Sequence, residues 1–138
     1  MIIAINNFTV KNNNLDAKSE SSLLYYDAEF TGTILNGCAI EKQYMINGYF
    51  VIISSYGWAC EEANYVTLLD NNFKIISKKH LGFAYCSMTV SGVYPKNDHE
   101  ILITFFSGAS VIVKICRMPF LLHKPFLRLK NWKYANDS

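Results

Sequence analysis

Short apolar stretches recur along this chain, each ended by turn residues. GCAIEKQYMI leads into Asn47-Gly48 and then into YFVIISSY. Asn-Gly between two such runs predicts a type I′ hairpin, because that turn needs positive φ at both central positions. YVTLL runs into Asp70-Asn71-Asn72 and continues as FKIISKKHL. Asn and Asp tolerate left-handed backbone and bond their own main chain, so a second hairpin is expected there. EILITFF, Ser107-Gly108 and SVIVKIC make a third.

Alternation refines these elements. Ile101, Ile103 and Phe105 point one way, and Val111, Val113 and Ile115 can oppose them. The other face holds Leu102, Thr104, Phe106 and Ile112, which is also apolar, so this hairpin is expected to be central and covered on both sides. In FKIISKKHL, Phe73, Ile75 and Ser77 alternate with Lys74, Ile76 and Lys78. That strand belongs nearer an edge, where lysines discourage edge-to-edge pairing. Further strands are expected at 2–5, 23–26, 28–35 and 83–91. Residues 11–22 (KNNNLDAKSESS) read as a polar, mobile loop. No segment carries a capped 3.6-residue stripe. The sole helical candidate is the tail, roughly 119–134, and Pro125 argues against one long helix there. The expected fold is all-β and mostly antiparallel, with little helix. It is a meandering β-sandwich or a curved barrel-like sheet built from consecutive hairpins. The hairpins do not supply enough strands for a propeller.

Composition agrees and adds little. A chain of 138 residues suits one domain, 1–138, with a basic aromatic C-terminal tail at 119–138. Hydrophobic residues make up 51%, enough for a core without disulfide staples. Nine Tyr and nine Phe favour sheet. Charge changes the picture more. Before Phe73, Lys11, Lys18 and Lys42 face eight acidic residues; after Ile101, six basic residues face Asp137 alone. Such asymmetry marks two binding faces or a balance of charge across the fold. Met1–Ile5 is apolar but lacks a basic leader and stops at Asn6-Asn7, and no apolar run approaches the roughly 18 residues of a spanning helix. A cytoplasmic protein with reduced thiols is expected, with no membrane partner.

Several chemistries find no support. Cys38, Cys60, Cys86 and Cys116 are spaced by 22, 26 and 30 residues. Structural zinc draws on closely spaced ligand pairs, and His80, His99 and His123 also stand apart, so no metal is expected. Cys60 lies beside Glu61 and Glu62, which disfavour a thiolate. Those two glutamates could converge for acid–base work only in a loop, because consecutive strand positions face opposite sides. Ser-Gly-Ala-Ser at 107–110 belongs to its turn, and no glycine pattern cradles phosphate. No catalytic residue and no cofactor is assigned. A small enzyme with a dispersed site is the remaining catalytic alternative.

Binding is better founded. SSYGWACEEANY at 54–65 reads as the long connection of a hairpin. Tyr56, Trp58, Glu61, Glu62 and Tyr65 would form an acidic aromatic patch there, of the kind enriched in binding hot spots. Alternatively, Tyr56 and Trp58 fold back on the core, with Gly57 allowing the bend. The leading expectation is a non-enzymatic protein-binding domain. By analogy of class rather than of motif, its most specific form is a bacterial immunity protein that neutralises a basic, nuclease-type toxin domain. The alternative is a nucleic-acid-binding module. In HKPFLRLKNWKY, Lys124, Arg128, Lys130 and Lys133 would meet phosphates and Trp132 would offer a stacking face.

Overall fold

The computed structural model describes residues 1–13, 21–58, 61–81, 89–117 and 125–133, with side chains throughout except at 56–58 and 61–63. The described elements are β1 (Ile2–Ala4), β2 (Phe8–Asn12), β3 (Ser21–Tyr26), β4 (Glu29–Asn36), β5 (Ala39–Ile46), β6 (Tyr49–Trp58), β7 (Glu61–Leu69), β8 (Ile75–Leu81), β9 (Val90–Asn97), β10 (Glu100–Phe105), β11 (Ser110–Cys116) and β12 (Phe126–Lys133). Three antiparallel sheets result, ordered β1-β5-β6-β7-β8, β12-β11-β10-β9 and β2-β3-β4. None closes into a barrel, and the architecture is that of a β-sandwich with a third layer.

The five-stranded sheet is the middle layer, and its alternation shows why. Tyr44, Ile46, Val51, Ile53, Val66 and Leu68 point to a core shared with Ile101, Ile103, Val111, Val113 and Leu127 of the four-stranded sheet. Phe50, Ile52 and Leu69 point the opposite way, to a second core with Phe8, Leu24 and Leu35 of the three-stranded sheet. A strand with both faces covered reads as a continuous apolar run. Residues 50–53 of β6, FVII, are accordingly buried at every position. The expected double coverage of the 101–115 hairpin is therefore corrected. That hairpin is central within its sheet, but only its Ile101–Phe105 and Val111–Ile115 face joins a core cluster. On its other side Leu102 and Thr104 are half-buried and Ile112 is buried.

The turns form as their residues dictate. Asn47 and Gly48 both have positive φ (49° and 83°), and Ile46 pairs with Tyr49. Asp70 closes the second turn, its Oδ1 accepting the Asn72 and Lys74 amides. The third hairpin is in the expected register, Ile101 opposite Val113 and Ile103 opposite Val111. β8 is an edge strand, as its lysines suggest. Its Ser77 Oγ accepts the amide of Leu127 (3.0 Å), so β12 abuts that edge.

Other expectations are revised. β2 lies partly within the 11–22 stretch, which shortens the loop; 14–20 lie outside the described residues. Val90 and Ser91 begin β9, and the rest of the expected 83–91 strand also lies outside. The tail is not helical between 126 and 133. There β12 pairs with β11 and completes the four-stranded sheet. Alternating Leu127 and Leu129 against Arg128 and Lys130 already carries the period of two that makes a strand.

One side chain fastens the outer three-stranded sheet to the middle one. The Gln43 amide accepts the Phe8 N–H through Oε1 (2.8 Å) and donates through Nε2 to the Phe8 carbonyl (3.0 Å). It thus acts as a short piece of strand beside β2. Thr33 Oγ1 donates to the Phe73 carbonyl, and Ser54 Oγ donates to the Asn36 carbonyl. Aromatic packing of Phe8 against Phe50 (5.1 Å) and Phe73 (5.9 Å) closes the same interface.

Candidate binding surfaces

Among the described residues, β6 and β7 outrun their neighbours. β5 follows β6 only as far as Ala39 opposite Ser55, and β8 follows β7 only from Leu81 opposite Asn64. Beyond these, Tyr56 pairs with Ala63, Gly57 with Glu62 and Trp58 with Glu61. Among the described residues no third strand accompanies these pairs. They form a two-stranded arm continuous with the middle sheet.

This corrects the expected long connection. Both strands persist to within two residues of each other, and 59–60, including Cys60, lie outside the described residues. Glycine and mixed polarity disguise the stretch as loop, yet Tyr and Trp suit strand positions and the ladder continues through them. The backbone does not fold back at Gly57, which stays in register with Glu62. Glu61 and Glu62 are strand positions, so the loop in which they could converge does not form. The side chains of Tyr56, Trp58, Glu61 and Glu62 lie outside the described residues. Tyr65 stands at the base of the arm, half-buried, its ring 5.1 Å from that of His80.

The basic candidates separate. Lys124 lies outside the described residues. Arg128 and Lys133 are exposed on β12. Lys130 forms an ion pair with Glu100, whose other oxygen accepts the Asn97 amide. Lys130 and Asn97 together hold the buried Glu100 carboxyl down to about 2. Trp132 faces the core instead of solvent, packed on the main cluster and stacked on Phe105 at 6.3 Å. The cause is a bulge. Lys130 opposes Ile112 and Lys133 opposes Ser110, so three steps on β12 match two on β11, and Asn131 absorbs the extra residue at φ 55°. Without that step Trp132 would face outward and Lys133 inward.

Two surface features escaped sequence reasoning. On the outer face of the three-stranded sheet, Leu23 pairs with Ile34 and Tyr25 with Phe30; Phe30 is 51% exposed and Ile34 41%. The Lys11 ammonium lies 4.6 Å from the Tyr25 ring centre. Alternation in EFTGTILN carried this signal, with Phe30, Gly32 and Ile34 set against Thr31, Thr33 and Leu35. On β9, Tyr94 is 55% exposed. A Cβ at Gly92 would collide with the Tyr94 ring, so the ring lies along the strand over the bare glycine.

A shallow depression of about 330 Å³ lies between two turns, lined by Asn47, Gly48, Tyr49, Asp70 and Asn71. Its carboxylate is engaged by its own turn. Among the described residues no three His, Cys, Asp or Glu side chains gather as metal ligands. Nor is any helix among the described residues long and apolar enough to cross a membrane. No family model, curated protein or solved structure matches the chain.

Proposed function

We propose that this chain is a non-enzymatic protein-binding domain whose β6–β7 arm is the recognition element. The supporting observation is that arm: three strand pairs that, among the described residues, extend past both neighbouring strands and carry Tyr56, Trp58, Glu61 and Glu62. A two-stranded ribbon without further strands is marginal in water, and a partner surface would offset the cost of such an extension. A ribbon also offers unpaired backbone edges to a partner strand. Acidic residues on it steer a basic partner toward the site and set the salt dependence of association.

In its most specific form the domain is a bacterial immunity protein, and its partner is a basic toxin domain of nuclease type. The acidic arm would occupy the toxin surface that otherwise meets nucleic acid. The test is capture from host lysate by purified tagged protein, at low and high salt and after nuclease treatment. One stoichiometric basic protein, retained after nuclease and weakened by salt, is the expected result. Co-expression of that protein should then be toxic without this domain and harmless with it. Capture lost on nuclease treatment, or a captured protein that is never toxic, contradicts the immunity form.

A further inference from the structure

We propose that the outer face of the β9–β12 sheet binds single-stranded nucleic acid, a surface distinct from the arm. The register places the residues. Lys114 and Arg128 face each other across β11 and β12, and Lys130 follows opposite Ile112. The bulge at Asn131 then returns Lys133 to that same face, opposite Ser110. Arg128, Lys130 and Lys133 therefore form a row along one strand. Their steps are about 7 Å or slightly more, from the rise of a strand. An extended phosphodiester backbone can meet Arg128 and Lys133 along this row, with Lys130 between them held by Glu100.

The same face carries an aromatic plate. Tyr94 lies opposite Leu102 on β10, and its ring is laid over Gly92 rather than raised from the sheet. A ring lying along the strand over Gly92 and 55% exposed is accessible to a base for stacking. Phe106, at the end of the β10–β11 hairpin, is 74% exposed and supplies a second ring. Open antiparallel sheets with aromatic rings recognise splayed single strands, whereas duplex grooves are entered by helices or narrow ribbons. Glu100 sits on this face as a fixed partner of Lys130, tying that ammonium to the middle of the sheet.

The experiment is fluorescence anisotropy with a labelled oligonucleotide of about 12 nucleotides, within the site sizes of single-strand binders. DNA and RNA strands, the matching duplex and anionic lipid vesicles are compared at several salt concentrations. Single strands should bind more tightly than the duplex or the vesicles. Tyr94→Ala should weaken that binding roughly five- to a hundredfold, from the loss of one stacked base. Arg128→Glu with Lys133→Glu should lower the slope of log affinity against log salt by about 1.4, two single-strand phosphate contacts. All three positions are exposed, so the variants should keep the wild-type circular dichroism and melting temperature. Absence of single-strand binding at low salt overturns the proposal. So does binding that Tyr94→Ala leaves unchanged, and so does equal or tighter binding of vesicles, which would assign the face to a membrane surface.

Discussion

The two ends of the β6–β7 hairpin contrast sharply. At its base, Val51, Ile52, Ile53, Val66 and Leu68 are fully buried between two other sheets. At its tip, the pairs from Tyr56–Ala63 to Trp58–Glu61 have no strand beside them among the described residues. Both ends share one continuous ladder of hydrogen bonds. The difference lies in what surrounds the ladder, and it separates two tasks. Residues at the base are committed to packing on both faces. The tip continues the same ladder beyond that packed base. Under the proposed function, recognition lies at the tip and the fold rests on the filled base.

The contrast is broken most directly at the base. Ile53→Ala removes a fully buried side chain from the main core and should destabilise the protein by about 2–5 kcal/mol in chemical unfolding. A loss within the range of a surface change would show that the base is not the packed centre. Gln43→Ala comes next. It removes both hydrogen bonds to Phe8 and leaves a half-buried backbone pair without its partner, at a cost of about 1–3 kcal/mol. Amide hydrogen exchange should quicken first in β2, where the side chain acts as the neighbouring strand.

Smaller effects sharpen the same comparison. Thr67 is buried in the base with its hydroxyl unpartnered. Thr67→Val replaces that hydroxyl with a methyl of similar size and should raise stability by about 1 kcal/mol. Glu100 contributes at neutral pH, and that contribution is lost in acid. Lys130, and then Asn97, lower its carboxyl from 4.5 to about 2 in the folded chain. A lowered carboxyl contributes stability above its unfolded value and loses it as pH falls through the folded one. Stability should therefore drop between pH 4.5 and about 2, and Glu100→Gln should remove that part of the slope.

Much of the fold was legible because local rules acted alone. Asn47-Gly48 specified its turn, and the alternation at 101–105 and 111–115 specified register. What stayed hidden depended on distant partners or on single irregular residues. YFVII and ILITFF read alike, and only the third sheet decides which is covered on both faces. That sheet rests on β2, whose polar ending resembles loop. At the candidate surfaces, one bulge at Asn131 exchanged the faces of Trp132 and Lys133, and no local pattern announces a bulge there. The arm reads as a loop in sequence because Gly57 and the glutamates carry turn-like composition. Its strand character comes from the ladder below it.

The central claim is that the tip binds while the base holds the fold. Glu61→Lys with Glu62→Lys, measured for both unfolding free energy and affinity for the captured basic partner, tests it most directly. Stability should stay within about 0.5 kcal/mol of wild type, as for ordinary surface changes. Affinity should fall at least about tenfold, and its salt dependence should flatten. Unchanged affinity, or a loss of stability that accounts for the lost binding, would contradict the division of labour along this hairpin.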